Sequence, residues 1–212
     1  MHDRPVLDVA DRDFATYLHG GKHSVRVDAL DALATDLPGL VARADAVVCD
    51  DDDPDTVTVL RTLRAHQPDL VVVSISDYGL NGASPSTPAS EFTLQAESGL
   101  TALHPTGDRP PVYAGIDVGE YSAGLNAAIG VVGGILASEA GAEAVDADVS
   151  RFEAMTSLLQ LPWVFSQHDH HAAYILPQTA VPGIEKAKDG WVCVVSVTPQ
   201  QWTDFKALAQ VP

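Results

Sequence analysis

The feature that most constrains the fold is a continuous apolar run at residues 69–79, DLVVVSISDYG. Four of its residues are β-branched: Val71, Val72, Val73 and Ile75. Such residues favour strands, and a run without polar alternation is typical of a parallel strand that is buried on both faces. Gly79 ends the run. The segment therefore predicts a central β-strand.

The segments before this run alternate between helix and strand patterns. Apolar residues recur at helical spacing over 30–44, a short apolar run follows at 44–50, and residues 56–68 show a second helical pattern that Pro68 closes. Such alternation is typical of α/β units with a parallel sheet. We therefore expect an α/β fold, with a Rossmann-like parallel sheet flanked by helices.

Residues 121–138 form a long uncharged segment that contains Gly130-x-x-x-Gly134. Its length and this glycine spacing would also suit a membrane helix. However, the segment is rich in Gly and Ala, contains Ser and Asn, and is bracketed by Glu120 and Glu139. It therefore predicts a buried helix of a soluble protein, packed closely against a sheet.

The pattern changes near residue 161. A strand pattern at 144–149 precedes a helical pattern over 151–161, which Pro162 stops. We expect residues 1–161 to form part of a large α/β domain. Residues 162–212 are expected to form a connection and the start of a smaller domain, with a strand in 188–197 and a helix over 199–210.

The charge balance narrows the classes of partner. The chain carries 29 acidic and 12 basic residues, a formal net charge of −17. Nucleic acids and anionic membrane surfaces both require clustered Lys and Arg, so neither is expected as a partner.

The polar, acidic N-terminal residues do not resemble a signal peptide, and two cysteines suit a reducing compartment. We therefore expect a cytoplasmic protein.

A carboxylate motif follows the long helix. Residues 144–155, AVDADVSRFEAM, contain an Asp-x-Ser-x-x-Glu-Ala pattern that places Glu153 at the start of an apolar segment. An enzyme of covalent acyl transfer could keep its nucleophile there. The alternative is a solvated glutamate in the first turn of a helix, stabilised by the helix dipole. Both interpretations remain open from the motif alone.

A histidine-rich segment, HDHH at residues 168–171, contains side chains that bind zinc or nickel. Its spacing does not match His-Glu-x-x-His or Glu-x-x-His. An exposed loop is the favoured interpretation, and no metal site is predicted.

Six segments, in the same order, resemble the class III coenzyme A transferases, the family of formyl-CoA transferase and carnitine CoA-transferase. The resemblance covers a middle portion of a family chain, namely part of the large domain and the start of the small one. The segments are GKHSVRVD (21–28), ADAVV (44–48), PDLVVVSISDYGLNG (68–82), RPPVYAGIDVGEYSAG (109–124), DVSRFEA (148–154) and KDGWVCVVSVTPQQW (188–202).

The resemblance implies transfer of CoA between carboxylic acids through an enzyme carboxylate. Glu153 matches the family position of that carboxylate, which is normally Asp. Asp117 and Tyr113 are expected to line the site, and Lys22 and Arg26 to contribute to an anion site for CoA. CoA and acyl-CoA would be substrates, and no bound cofactor is expected.

Two departures from the family pattern bear on activity. Ile116 stands where the racemase branch of the family has the His of Gly-His-Asp, which argues against racemase activity. Residues 50–53 are four consecutive Asp, where the family has an Asn-x-x-Pro-Gly loop that helps to hold CoA. These acids would repel the CoA phosphates, unless they form an ordinary exposed loop.

The second hypothesis is therefore a catalytically degenerate or partial domain that serves as a partner subunit or scaffold. Its partner would be a second copy of the chain, in a homodimer, or a complementary chain of the same family.

Overall fold

The centre of the fold is a sheet of three parallel strands in the order β1-β2-β3. They are β1 (Ala46–Asp50), β2 (Val71–Ser76) and β3 (Asp146–Ser150). The computed structural model describes residues 12–23, 38–39, 41–50, 53–82, 87–103, 110–143, 145–160, 184–194 and 198–210. Its parallel sheet, with helices between consecutive strands, confirms the predicted α/β class.

The described helices lie before, between and after the strands along the chain. They are α1 (Arg12–His19), α2 (Pro54–Thr62), which continues as a 3-10 turn (Leu63–Ala65), α3 (Glu91–Glu97), which precedes a second 3-10 turn (Leu100–Leu103), α4 (Val118–Glu139), α5 (Arg151–Ser157) and α6 (Pro199–Ala209). A separate antiparallel pair, β4 (Ile184–Lys186) and β5 (Trp191–Cys193), follows α5 in the chain. The sequence patterns predicted β5 and α6 but not β4.

β2 is the central strand, as the apolar run predicts, because all six of its residues are buried. Its side chains alternate between two cores. Val71, Val73 and Ile75 pack with Ala123 and Ala127 of α4. On the opposite face, Val72 and the preceding Leu70 pack with Val57, Leu60 and Leu63 from α2 and the turn that follows it.

α2 is fixed at both of its ends. Asp53 caps the helix by accepting a hydrogen bond from Asp55 N at 2.9 Å. Beyond its other end, Arg64 donates to the main-chain oxygens of Leu70 and Val145, at 2.9 and 2.7 Å. These bonds join the α2 side of the sheet to the amino-terminal end of β3.

α4 approaches the sheet through its glycines. A Cβ added at Gly134 would lie 2.5 Å from Val71 Cγ1, and one at Gly130 would lie 3.1 Å from Ala147 Cβ. This confirms the predicted close packing. The prediction of a buried helix holds for this face and is wrong for the opposite one, because several large apolar side chains there are exposed: Tyr121, Leu125, Ile129, Val132 and Leu136.

By length and apolar composition, α4 would also qualify as a membrane-spanning helix among the described residues. The contacts of its glycine face with β2 and β3 are those of a helix that belongs to the protein core.

Some predictions fall on other parts of the chain. Most of the helix predicted over 30–44 lies outside the described residues, as does the His-rich segment at 168–171. The boundary near residue 161 remains a prediction.

Candidate active site

The candidate site lies at the carboxyl edge of the sheet, where the three parallel strands end together. β1 ends at Asp50, β2 leads into Asp77, and β3 leads directly into α5 at Arg151. Ligands of open α/β sheets bind beyond the carboxyl ends of the strands. The motif that contains Glu153 is therefore at the end of the sheet where such sites form.

The first turn of α5 holds Glu153 in a defined place. Ser150 caps the helix, and its Oγ accepts a hydrogen bond from Glu153 N at 3.2 Å. Phe152 N donates to the main-chain oxygen of Asp77 at 3.0 Å, which ties the turn to the end of β2. The Glu153 side chain is exposed. A substrate in solution can therefore reach its carboxylate.

A tight turn after β2 forms one side of the edge. Gly79 has a φ of +81°, which favours glycine, and a Cβ there would lie 3.5 Å from Ser150 Cβ. Asp148 of β3 accepts hydrogen bonds from the main-chain nitrogens of Leu80 and Asn81, both at 3.1 Å. The turn is thus fastened to the strand that carries the Glu153 helix.

Tyr78 joins this turn to α3. Its hydroxyl donates to Glu97 Oε2 at 2.6 Å, and its ring contacts Phe152 with centroids 5.8 Å apart. The hydrogen bond to Glu97, followed by burial, raises the pKa of Tyr78 from 10.0 to about 12.

The start of α4 forms the other side of the edge, and Glu91 of α3 caps it. The Glu91 carboxylate accepts two hydrogen bonds from Gly119 N, at 3.0 and 3.1 Å. The buried Gln95 donates to Ile116 O at 2.9 Å and accepts from Ala114 N at 3.0 Å. These polar groups on α3 fix the loop that carries the predicted substrate-side residues, and the sequence patterns had not singled them out.

Tyr113 and Asp117 are brought together on this loop. The Tyr113 hydroxyl donates to Asp117 Oδ1 at 3.4 Å, and the Tyr113 ring lies 6.2 Å from that of Phe92. Desolvation, together with the charges of Asp117 and Glu91, raises the pKa of Tyr113. Asp117 does not itself cap α4, although it occupies the N-cap position.

The loop and the Glu153 helix lie side by side. Helix α4 begins directly after Asp117, and a Cβ at its Gly119 would lie 3.0 Å from Cε of Met155, two residues beyond Glu153. Two of the three predicted site segments therefore meet at the same edge.

The remaining predicted anion site is not assembled in the described residues. Lys22 is exposed just after α1, and Arg26 lies outside the described residues. Their role toward CoA stays a prediction.

The run of Asp residues is divided between two structural roles. Asp50 ends β1 and pairs with the buried Arg151, while Asp53 caps α2. Residues 51–52 lie outside the described residues. Asp50 and Asp53 are both exposed, as the loop interpretation expects, and each of them also has a structural role.

Arg151 is a further residue of this edge that the sequence patterns did not single out. It is 4% exposed and lies between β3 and Glu153. Its partner Asp50 is 101 positions away in the chain. The sequence shows an arginine inside the DVSRFEA motif and many acidic residues elsewhere, which is compatible with an ion pair. It does not show which acid is the partner of Arg151.

Within the described ranges, no three His, Cys, Asp or Glu side chains are grouped closely enough to hold a metal ion.

A cleft of about 230 Å³ lies near the amino-terminal end of the sheet, lined in part by Asp45, Asp69 and Glu139. Its carboxylates are poorly suited to an anionic substrate, and none of its lining residues belongs to the Glu153 edge.

The fold and this edge define an α/β protein with a candidate carboxylate site at the carboxyl ends of a parallel sheet. The chain belongs to CoA-transferase family III, whose family model matches residues 4–212.

Solved structures share this fold. A CAIB/BAIF family protein from Brucella suis matches with a TM-score of 0.73 and 20% identity, over 92% of this chain and 55% of that protein. A hypothetical protein (Rv3272) from Mycobacterium tuberculosis matches with a TM-score of 0.71 and 22% identity, over 94% of this chain and 58% of that one. The chain thus spans a little more than half the length of these proteins.

Proposed function

We propose that the chain transfers CoA between carboxylic acids and that Glu153 is the carboxylate that accepts the acyl group. The observation that carries this proposal is the exposed Glu153, held by the Ser150 cap at the carboxyl edge of a parallel sheet. Family membership supports CoA thioesters as substrates.

The first half of the reaction uses Glu153 as a nucleophile. A Glu153 oxygen attacks the carbonyl carbon of the acyl-CoA thioester, so a C–O bond forms, the C–S bond breaks and CoA leaves as a thiolate. The thiolate then attacks the Glu153 carbonyl carbon of the mixed anhydride. A glutamyl-CoA thioester forms, and the acyl group leaves as a free carboxylate.

The second half repeats these steps in reverse with the acceptor acid. The acceptor carboxylate attacks the glutamyl thioester and releases CoA thiolate, which then attacks the acceptor carbonyl of the new anhydride. Acyl-CoA is released and Glu153 is restored as a carboxylate. Charge balances at every step, and dividing the exchange lowers the barrier of each part.

Tyr113 and Asp117 are the proposed substrate-side groups. Their loop begins α4, whose first turn touches the Glu153 helix through Gly119 and Met155. Lys22 and Arg26 remain proposed contacts for the CoA phosphates.

Substitution at Glu153 tests the proposal. In an assay of acyl-CoA formation from CoA donors and free acids, Glu153→Gln is expected to lose transferase activity, because an amide cannot replace the nucleophilic carboxylate. Glu153→Asp is expected to stay active, because it restores the usual family residue. Glu139→Gln, an exposed change at the far end of α4, is the matched control. Full activity in Glu153→Gln would contradict the assignment.

A second candidate function is that of a partner subunit. The exposed apolar side of α4 favours it, because contiguous apolar patches of this kind mark interaction surfaces. The proposed partner is a complementary chain of the same family. Co-purification with such a chain would support this function, and absence of association would count against it.

A further inference from the structure

Arg151 is a buried guanidinium at the centre of the carboxyl edge. It is the first residue of α5, and three carboxylates from three other segments surround it. Asp50 comes from the end of β1, Asp77 from the turn after β2, and Glu120 from the first turn of α4. One side chain thus joins α5 to the end of β1, the turn after β2 and the first turn of α4.

The contacts differ in kind. Asp50 Oδ1 makes a short ion pair with Nη2, and Asp77 Oδ1 lies 3.3 Å from Nη1. Glu120 Oε1 lies 3.3 Å from Nε without the alignment of a hydrogen bond, while Nη2 donates a hydrogen bond to Glu120 Oε2 at 3.5 Å. Burial lowers the pKa of Arg151, but the hydrogen bond and charge of Asp50, then the charges of Glu120 and Asp77, more than offset this and raise it.

Strand alternation explains why these groups meet. In the sheet register Asp50 pairs with Ile75, and Ile75 pairs with Val149. Ile75 and Val149 belong to the core beneath α4. Ser150 keeps an extended backbone (φ −91°, ψ 126°), so Arg151, two residues after Val149, continues on the same face. The guanidinium closes this core at its carboxyl end.

Asp77, a partner of Arg151, also holds the turn that carries Glu153. Ser150 Oγ donates to Asp77 O at 3.3 Å and accepts from Glu153 N, while Phe152 N also donates to Asp77 O. Arg151 adds the side chain of Asp77 and reaches Asp50 on β1. The turn is therefore fixed to two strands through the residue two positions before Glu153.

We infer that Arg151 is a positioning residue for Glu153, which fixes the nucleophile's helix turn to the ends of β1 and β2 and to α4. The inference rests on the proposed function and adds to it. Arg151 acts through the main chain of α5 and makes no contact with substrate in this account. Its removal should therefore slow the acylation of Glu153 without weakening the binding of acyl-CoA.

The test measures acylation of Glu153 in single turnovers at several acyl-CoA concentrations, with hydroxylamine to trap the acylated residue. Arg151→Met is expected to lower the maximal rate about 100-fold, as for a nucleophile displaced by about 1 Å. The half-saturating concentration should not change. Arg151→Lys should recover part of the rate, because an ammonium keeps the charge but cannot reach all three carboxylates.

Arg64→Met is the matched control. Arg64 is partly buried and, like Arg151, joins a helix to the sheet. Its contacts are Leu70 O, Val145 O and Asp146, at the opposite end of the strands. Rates are compared per folded chain, with the folded fraction measured by circular dichroism. The control should destabilise the chain but leave the maximal rate per folded chain unchanged.

Three results would overturn the inference. One is a wild-type rate in folded Arg151→Met. Another is an equal fall in Arg64→Met, which would make Arg151 a general stabilising residue. If Arg151→Met does not fold, a wild-type rate in folded Arg151→Lys has the same meaning. A wild-type chain that never acylates Glu153 would instead overturn the proposed function, and this inference with it.

Discussion

Glu153 and Arg151 lie two positions apart but face opposite environments. Glu153 is exposed, whereas Arg151 is buried among three carboxylates. A reactive carboxylate must be reachable by substrate and yet held in place, and these two requirements fall on different residues of one helical turn. In the proposed mechanism, Glu153 is a longer nucleophile than the Asp that the family resemblance implies, while hydrogen bonds to Ser150 and Asp77 fix the backbone that carries it.

Tyr78 gives this edge a measurable dependence on pH. Its pKa is raised from 10.0 to about 12, so the folded chain holds the phenol proton more tightly than the unfolded chain does. The resulting stabilisation is present below pH 10 and is lost as the pH rises from about 10 through about 12. In denaturant titrations across this range, the wild-type chain should lose stability more steeply than Tyr78→Phe. Equal slopes would show that the bond to Glu97 does not persist in solution.

Among the elements, α4 sets the distance between the sheet and the substrate-side loop. Gly130 and Gly134 allow the helix to lie directly on β2 and β3, and Gly119 N holds its first turn by donating to both carboxylate oxygens of Glu91. Together these contacts place the Asp117 end of the helix beside α5. A larger side chain on the glycine face would move the helix away from the sheet.

Gly134→Ala should therefore destabilise the chain. Its Cβ would lie 2.5 Å from Val71 Cγ1, and overpacking of this kind costs about 1–3 kcal/mol. Gly133→Ala is the control, because a Cβ at Gly133 meets nothing within 4 Å. That change should stabilise the helix by about 0.5–1 kcal/mol. Thermal or urea unfolding measures both, and equal effects of the two substitutions would contradict the packing described for this face.

Helix α4 leaves an apolar surface exposed in the part of the chain that the structure describes. Leu125 and Ile129 are 69% and 70% exposed, and Tyr121, Val132 and Leu136 extend the same surface. Contiguous exposed apolar surfaces mark sites of interaction with other proteins. The surface is consistent with both predicted assemblies, a homodimer and a complex with a complementary family chain.

Ile129→Glu should weaken any such assembly, because it places a charge in the middle of the apolar surface. Sedimentation velocity of the purified chain over a range of concentrations is expected to show self-association, which this variant reduces. Leu208→Glu changes a well-exposed leucine in α6 and serves as the control. A wild-type chain that remains monomeric at all concentrations would contradict self-association through α4.

The sequence predicted the features that depend on local patterns. Val71, Val72 and Val73 indicated the central strand, and the glycine spacing indicated the close approach of α4. It did not predict the partners of Arg151, because pairing between residues 101 positions apart leaves no local periodicity. The exposed side of α4 was not predicted, for a related reason. An apolar helix predicts burial on all sides, but its sequence does not show which contacts would cover each side.

The chemical identity of Glu153 after exposure to acyl-CoA shows directly whether this residue is the nucleophile. The chain is incubated with a short acyl-CoA, treated with hydroxylamine, digested and examined by mass spectrometry. Attack of hydroxylamine on the glutamyl carbonyl of the mixed anhydride or of the glutamyl-CoA thioester gives a hydroxamate at Glu153 and releases the carboxylate or CoA. This modification of Glu153 is expected to depend on acyl-CoA and to be absent in Glu153→Gln. An unmodified Glu153, or a hydroxamate on another carboxylate, would contradict this expectation.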